Sequence, residues 1–253
     1  MNLQEFTKEI GLPKEGQVCI ADYAMTEEVY RQWKNMFYEN EARFFADIEG
    51  MPCKEQLILY LYAKFAVDLY PSYKNAGISD RIYFDTFSDF TIWFSHFIKK
   101  NRVVCLREEA WLNLHLKMKL FRLGRLQFEK DEMNHSIHVH IPEGKSLNPE
   151  ACDISLRQAK TFFDGAYTVF DCESWLLSPF LSELLDENSN IIQFQKRFHI
   201  IRVNKDIRQA EERVFGEVLE DKHLYTEKTT LQKNLKRYLL NGNNPGIGYG
   251  VLI

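Results

Sequence analysis

Cysteine is scarce in the sequence, and no two cysteines stand at metal-binding spacing. The chain of 253 residues has five cysteines, widely separated, and no Cys-x-x-Cys occurs. An odd number of scattered cysteines does not indicate a disulfide framework, and without paired ligands a structural zinc site is not indicated. Stability must therefore come from a hydrophobic core, for which 45% hydrophobic residues are sufficient.

Basic excess and long apolar runs are also absent. Lys and Arg total 32 against 36 Asp and Glu, and neither half of the chain is basic. Nucleic-acid-binding proteins present a basic surface, so we expect no nucleic-acid partner. No apolar run has the length of a membrane span, and the N-terminus lacks the basic-then-apolar pattern of a secretory signal. The expectation is a soluble cytoplasmic protein with no membrane partner.

The first half of the chain has apolar side chains at helical spacing. One helix is predicted from its cap at Thr26 to Gly50, a second stops at Pro71, and a third begins near Ser79. Residues 17–24 are interpreted as a lone strand, and residues 107–118 as one more helix. We therefore predict a helical N-terminal domain over residues 1–115 and a second domain over residues 116–253.

The second half changes to alternation. Residues 124–129 and 136–141 alternate apolar and polar side chains, which predicts two strands of an antiparallel hairpin. A loop follows, and then a helix with Asn148 as N-cap and Pro149 at its first position. A helix N-terminus at the end of such a loop offers backbone N–H groups and a positive dipole end to an anion.

Further elements complete a mixed sheet. Residues 167–174 are predicted as a strand, a helix enters through Ser174, and residues 189–203 are interpreted as one long strand. Two amphipathic helices and a final strand, GIGYGVLI, follow, and the glycines of that strand indicate a tight approach of backbones. The predicted fold class is α+β.

Four segments together resemble a known family. RLGRLQFE, VHIPEG, SWLLSPFLSELL and DTFSDFTIW are similar to those of a bacterial acyltransferase-domain family with a helical N-terminal part and a GNAT-like C-terminal part. The resemblance spans nearly the whole chain. It implies that the helical domain packs on a mixed sheet with helices on both faces. It also implies acyl transfer from coenzyme A to an amine, with the pantetheine arm between two splayed strands.

The same resemblance implies a seat for acyl-CoA in the loop. The backbone N–H near Ile141 would polarise the thioester, and the pyrophosphate would be held by Gly144, Lys145, Ser146 and Asn148. GNAT enzymes usually have two or three glycines at this place, whereas this loop has one, and Glu143 would repel a phosphate. Lys145 and the Ser146 hydroxyl could partly compensate.

Three side chains are candidates for catalysis. His138 and His140 share a strand face, and His140, next to the loop, is the preferred base. Packed histidines and a pair of metal ligands are the alternatives. Cys172, at the end of a strand, is a candidate nucleophile, although a buried cysteine is the commoner outcome.

Several other polar residues have two interpretations each. Asp85, Asp89 and His96 lie near one helix face, where they could hold a cation, or they could be caps and ion-pair partners. Arg122 and Arg125 lie on opposite strand faces, with Gln127 on the face of Arg125, and either arginine could meet a phosphate or one of those aspartates.

The leading hypothesis is an acyl-CoA-dependent N-acyltransferase acting on a small-molecule amine by direct attack. A ligand-binding or sensor protein that keeps the scaffold without the chemistry is the first alternative, indicated by the single glycine of the loop. A metal-dependent hydrolase using His138, His140 and the aspartates is the second. Residue patterns alone do not identify the acceptor or the acyl length.

Overall fold

The computed structural model describes residues 1–101, 106, 108–163 and 165–253. The chain is α+β, with a helical N-terminal region and one mixed sheet of six strands, as predicted. It forms two compact units, Met1–Leu123 with Pro142–Gly144, and Gly124–Ile141 with Lys145–Ile253. Compactness does not test independent folding, so the boundary between residues 115 and 116 stays a prediction. Among the described helices, none has the length and apolar character needed to cross a membrane.

The first unit consists of helices and one short strand. Its elements are α1 (Leu3–Glu9), α2 (Lys14–Asp22), α3 (Glu27–Glu39), α4 (Glu41–Glu49), α5 (Lys54–Asn75), α6 (Asp80–Asn101), α7 (Glu109–Leu116) and β1 (Leu120–Leu123).

Aromatic rings fill the interior of this unit. Phe37 contacts Phe44 and Phe65 with ring centroids 5.2 and 5.0 Å apart, and all three side chains are fully buried. Such ring pairs add about 0.5–1.5 kcal/mol each beyond the area they bury. The aromatic-rich helical pattern of the sequence therefore corresponds to a closed core.

Three predictions for this unit need correction. Residues 17–24 are not a strand, because α2 takes in most of them and buries Gly16 and Ile20, four residues apart. The helix predicted from Thr26 to Gly50 is interrupted at Asn40, which ends α3 and caps α4 by accepting a hydrogen bond from the Arg43 N–H at 3.1 Å. Helix α5 continues through Pro71 to Asn75 instead of stopping at Pro71.

The Thr26 cap is confirmed, since its hydroxyl accepts a hydrogen bond from the Val29 N–H at 3.3 Å.

The second unit holds the other strands. Its elements are β2 (Leu126–Asp131), β3 (Ser136–His140), α8 (Pro149–Phe162), β4 (Val169–Ser174), two 3₁₀ turns (Trp175–Leu177 and Pro179–Glu183), α9 (Asn190–Gln195), β5 (Phe198–Asn204), α10 (Gln209–Phe215), a third 3₁₀ turn (Lys222–Leu224), α11 (Thr230–Leu240) and β6 (Ile247–Leu252).

The strands of this unit lie in the order β2-β3-β4-β6-β5. β2 and β3 form the predicted antiparallel hairpin, with Phe128 opposite Val139, and β3 pairs with β4 in parallel. β6 is antiparallel to both of its neighbours. One face buries apolar side chains such as Phe128, Ile137 and Phe170, while the other carries the polar residues that alternate with them.

Two predictions here are also wrong. Residues 189–203 are not one strand, because Ser189 caps α9 by accepting from Ile192 N–H at 3.3 Å, and only β5 is extended. The segment after Ser174 forms two 3₁₀ turns instead of one α-helix. The tight approach of the final strand is confirmed, since a Cβ on Gly248 would lie 2.2 Å from the Leu177 carbonyl oxygen.

Candidate active site

The central feature of the second unit is that β3 and β4 separate part-way along their length. Their parallel pairing runs from Ser136 opposite Val169 to His138 opposite Asp171 and ends there. Both strands lie wholly within the described residues. Beyond that point β3 stays on β2, with His140 opposite Gln127, while β4 pairs with β6. The pairing of β3 with β4 therefore ends at His138 and Asp171, before the end of either strand.

The last residues paired between β3 and β4 are a histidine and a buried aspartate. The Nδ1 of His138 contacts the Asp171 carboxylate, and its Nε2 lies 3.3 Å from Oδ2 of Asp131. The His138 side chain is 34% exposed, whereas that of Asp171 is 3% exposed. The hydrogen bond that His138 donates to the Asp171 carboxylate raises the pKa of His138, which favours the imidazolium form. Tyr249 also hydrogen-bonds the Asp171 carboxylate.

His140 lies two residues further along β3, beyond the pairing of β3 with β4. Its Nε2 lies 2.9 Å from Oε2 of Glu129, and both side chains are partly exposed. A carboxylate in this position fixes the orientation of the imidazole ring. Gln127, directly opposite His140, is 1% exposed, and its amide nitrogen has no hydrogen-bond partner in the described part of the chain.

The two histidines do not converge on one metal. Their ring nitrogens face separate carboxylates, those of Asp131 and Asp171 for His138 and that of Glu129 for His140. Over the part of the chain that the structure describes, no group of three or more His, Cys, Asp or Glu is arranged to hold a metal ion.

The loop after β3 has the local structure that the sequence predicts. Asn148 caps α8 by accepting from Ala151 N–H at 3.0 Å, and Pro149 is the first helical residue. The Ser146 carbonyl accepts a hydrogen bond from Nε of Arg125 at 3.1 Å, which holds this end of the loop. Lys145 and the Ser146 side chain are exposed. A cation and a hydroxyl thus stand just before a helix N-terminus.

The remaining loop residues can be placed individually. Ile141 directly follows β3. Gly144 has φ +117°, a region that side-chain-bearing residues rarely adopt, although a Cβ would meet nothing within 4 Å. The Glu143 carboxylate lies 3.3 Å from Nδ1 of His96. The ligand-binding roles of Ile141, Gly144, Lys145, Ser146 and Asn148 stay predictions.

Cys172 does not fit the role of nucleophile. Its side chain is fully buried on β4, and burial raises the pKa of the thiol far above neutrality. A covalent step requires the thiolate, which this environment disfavours. Cys172 is therefore left out of the mechanism considered below.

The Asp85, Asp89 and His96 set does not form one site. Asp85 pairs with Arg81 at 3.6 Å, and His96 with Glu143. Asp89 is buried, accepts a hydrogen bond from Nε1 of Trp111 at 2.6 Å and lies 3.2 Å from Nε2 of His115. The interpretation as one cation site is wrong. The helix-cap interpretation of Asp85 is also wrong, because α6 begins five residues earlier, at Asp80.

Two side-chain pairings of the site depend on how the strands are paired. The contact of His138 with Asp171 joins residues 33 positions apart. That of His140 with Glu129 follows from the register of the hairpin, and a signal for it was present, because both residues lie on the polar face of adjacent predicted strands.

Family models cover nearly all of the chain. A model described as a GNAT-like C-terminal domain matches residues 120–252, and one described as an N-acyltransferase N-terminal domain matches residues 1–118. The chain belongs to the GNAT-like acyltransferase-domain family. The resemblance deduced from the four segments is confirmed.

Solved structures of similar fold exist. One is an acyltransferase in complex with decanoyl-CoA and teicoplanin, 21% identical, with a TM-score of 0.82 over 98% of this chain and 86% of that one. A second, in complex with CoA and 10C-teicoplanin, gives the same values. A third is a mutant acyltransferase in complex with octanoyl-CoA. It is also 21% identical to this chain, with a TM-score of 0.81 and the same coverage of both chains. None of the curated proteins compared matches the sequence.

Proposed function

We propose that the protein transfers an acyl group from acyl-CoA to the amine of a small molecule. The observation that carries this proposal is the early end of the β3–β4 pairing, at His138 and Asp171. An opening between strands next to a loop and a helix N-terminus can take an extended thioester arm and the phosphates at its end. Family membership supports the same reading, since these domains are described as acyltransferases.

The structures of similar fold support acyl-CoA as the donor. They hold decanoyl-CoA, octanoyl-CoA or CoA. We therefore choose medium-chain acyl-CoA, together with acetyl-CoA, as the first donors to be tried. Lys145 and the Ser146 hydroxyl are the side chains that we assign to the phosphates, through a charge-assisted hydrogen bond and a neutral one.

His140 is the proposed general base, with Glu129 orienting it. The substrate ammonium gives a proton to His140, and the resulting neutral amine attacks the thioester carbon. The carbonyl π electrons move to oxygen, where the backbone N–H near Ile141 is the proposed donor. When the intermediate collapses, the C–S bond breaks and CoA leaves as a thiolate that takes up a proton. The products are an amide and CoA, with no oxidant or metal required.

The polar sheet face supports an amine as acceptor. Glu129, Asp131, Asp171 and Glu173 place four carboxylates on or beside this face, against His138, His140 and Arg202. Such an arrangement attracts a cation more than an anion. An ammonium substrate would thus be concentrated next to the proposed base.

Turnover tests the proposal directly. CoA release should be followed by chromatography, because the exposed Cys53 and the partly exposed Cys19 would react with a thiol reagent. Acetyl-, octanoyl- and decanoyl-CoA are each combined with a panel of primary amines. Amine-dependent release of CoA is the expected result, and release that ignores the amine contradicts it.

A binding or sensor protein remains the second candidate, because the loop of residues 142–148 contains a single glycine. That reading predicts that CoA binds, as measured by titration calorimetry, while no amide forms with any donor. Amide formation in the turnover assay therefore separates the two candidates, since CoA binding is expected of both.

A further inference from the structure

A cavity of about 420 Å³ opens on the polar face of the sheet, at the paired end of β3 and β4. Its lining includes Asp131, Ser136, His138, Asp171, Arg202 and Tyr249. It lies on the other side of His138 from His140, so it is separate from the place where the thioester would react. The mechanism proposed above makes no use of it.

One side chain in this cavity lacks a partner. Ser136 projects from the same face of β3 as His138, and its side chain is 97% buried, being 3% exposed. Among the residues that the structure describes, none forms a hydrogen bond with its hydroxyl. A buried hydroxyl without a partner costs stability, and native proteins rarely leave one so. A ligand in the cavity would supply the missing bond.

The charges around the cavity favour a cation. Arg202 lies 3.2 Å from Glu173 and stacks over the Tyr249 ring at 4.1 Å, so its charge is already compensated. The single positive charge that His138 can carry is shared between Asp131 and Asp171. One negative charge therefore remains even when His138 is protonated.

We propose that the cavity binds a second ammonium group, so that the acceptor is a diamine. An ammonium has three donors and no acceptor, which matches two carboxylates and one unpartnered hydroxyl. The proposal rests on acyl transfer to an amine at His140. His140 lies two residues along β3 from His138 and four from Ser136, so the two nitrogens of the acceptor lie about 7–13 Å apart.

A series of diamines tests this spacing. The kcat/KM for acyl transfer is measured with α,ω-diamines from propane-1,3-diamine to decane-1,10-diamine, and with the n-alkylamine and amino alcohol of equal length. We expect a maximum between hexane-1,6-diamine and nonane-1,9-diamine, whose nitrogens span about this distance. At that length the diamine should exceed the monoamine by about tenfold, since hydrogen bonds to a charged group are worth that much or more. The amino alcohol should fall between them.

Ser136→Ala should cut the diamine-to-monoamine ratio to about threefold or less. Ser182→Ala is the matched control, because Ser182 is exposed and its hydroxyl donates to the Pro179 carbonyl at 2.8 Å. Equal values for diamines and monoamines in the wild-type protein would overturn the proposal while leaving the transferase assignment intact. So would a ratio that does not respond to Ser136→Ala.

If no amine is acylated, the proposed function fails. Diamine binding, measured without turnover, then tests the ammonium site on its own. Calorimetric titration with hexane-1,6-diamine should then show heat that hexylamine does not produce and that Ser136→Ala weakens. The absence of such a difference would overturn it.

Discussion

The two compact units each contain a histidine paired with a buried aspartate, and the pairs differ in their surroundings. In the first unit His115 and Asp89 are 0% and 3% exposed, with Nε2 and Oδ2 3.2 Å apart. In the second unit Asp171 is equally buried, but its partner His138 is 34% exposed beside a cavity. The same residue types can thus serve a closed core in one place and an accessible site in another.

The environment of each pair explains the difference. Asp89 also accepts from the Trp111 indole, and near His115 the Tyr62 hydroxyl bonds Asn113 deep in the helical core. His138 instead stands where two strands part. A fully buried pair inside a core is best explained by stability, whereas a partly exposed pair beside a cavity is accessible to a ligand.

The largest expected effect is on catalysis in the second unit. Replacing His140 by Gln removes the proposed base and should lower kcat by about 100-fold or more. His223→Gln is the matched control, because His223 is exposed on a 3₁₀ turn and has no proposed role. Steady-state kinetics with the best donor and amine give the comparison, and His140→Gln retaining more than half of the activity would exclude it as the base.

The next effect contrasts the two aspartates in stability. Asp89→Ala leaves the Trp111 and His115 nitrogens in a closed core, and should lower the free energy of unfolding by about 3 kcal/mol. Asp171→Ala leaves His138 in contact with Asp131 and with the cavity, so a cost of about 1 kcal/mol is expected. Urea unfolding curves measure both. Equal losses would mean that the two pairs have the same structural role.

A smaller effect is expected at the two ends of α8. Lys145→Ala removes a cation from the helix N-terminal side and should weaken CoA binding by about threefold to tenfold, less so at high salt. Lys160→Ala removes an exposed cation from the last turn of the same helix and should leave binding unchanged. Calorimetry at two salt concentrations provides the measurement, and similar losses for both variants would argue against a phosphate at the loop.

The smallest effect is the pH dependence of the stability that the His138–Asp171 pair contributes. The folded-state pKa of His138 is raised by its hydrogen bond with Asp171, so the pair contributes stability that is fully present below the unfolded pKa, about 6.5. That contribution is lost as the pH rises through the folded pKa. Asp171→Asn should therefore cost more at pH 5.5 than at pH 8.5, by about 0.5 kcal/mol because the ring is partly exposed. A larger cost at pH 8.5 would have the wrong sign.

Local signals in the sequence predicted the parts of the fold that local physics determines. Alternation gave the β2–β3 hairpin, and the Asn148–Pro149 pair located the start of α8, because capping involves neighbouring residues. The strand interpretation of residues 189–196 failed because Ile191 and Ile192 have high strand propensity, whereas packing of Ile192 and Phe194 in the core holds this segment in α9.

Contacts between residues far apart in the chain could not be predicted from the sequence. The separation of β3 from β4 after His138 depends on which strand each residue joins beyond that point. Beyond that point each strand keeps only its other neighbour, β2 for β3 and β6 for β4, and β6 comes from the end of the chain. His138 and His140 could be named from the sequence, but their carboxylate partners required the register of the sheet.

The central claim is that the opening between β3 and β4 seats the acyl-CoA thioester. A crystal structure with a non-hydrolysable thioether analogue of decanoyl-CoA tests it most directly. We expect the pantetheine arm to lie between the two strands beyond His138 and Asp171, with the thioether next to His140. An analogue bound elsewhere, or β3 and β4 continuously paired past that point, would contradict it.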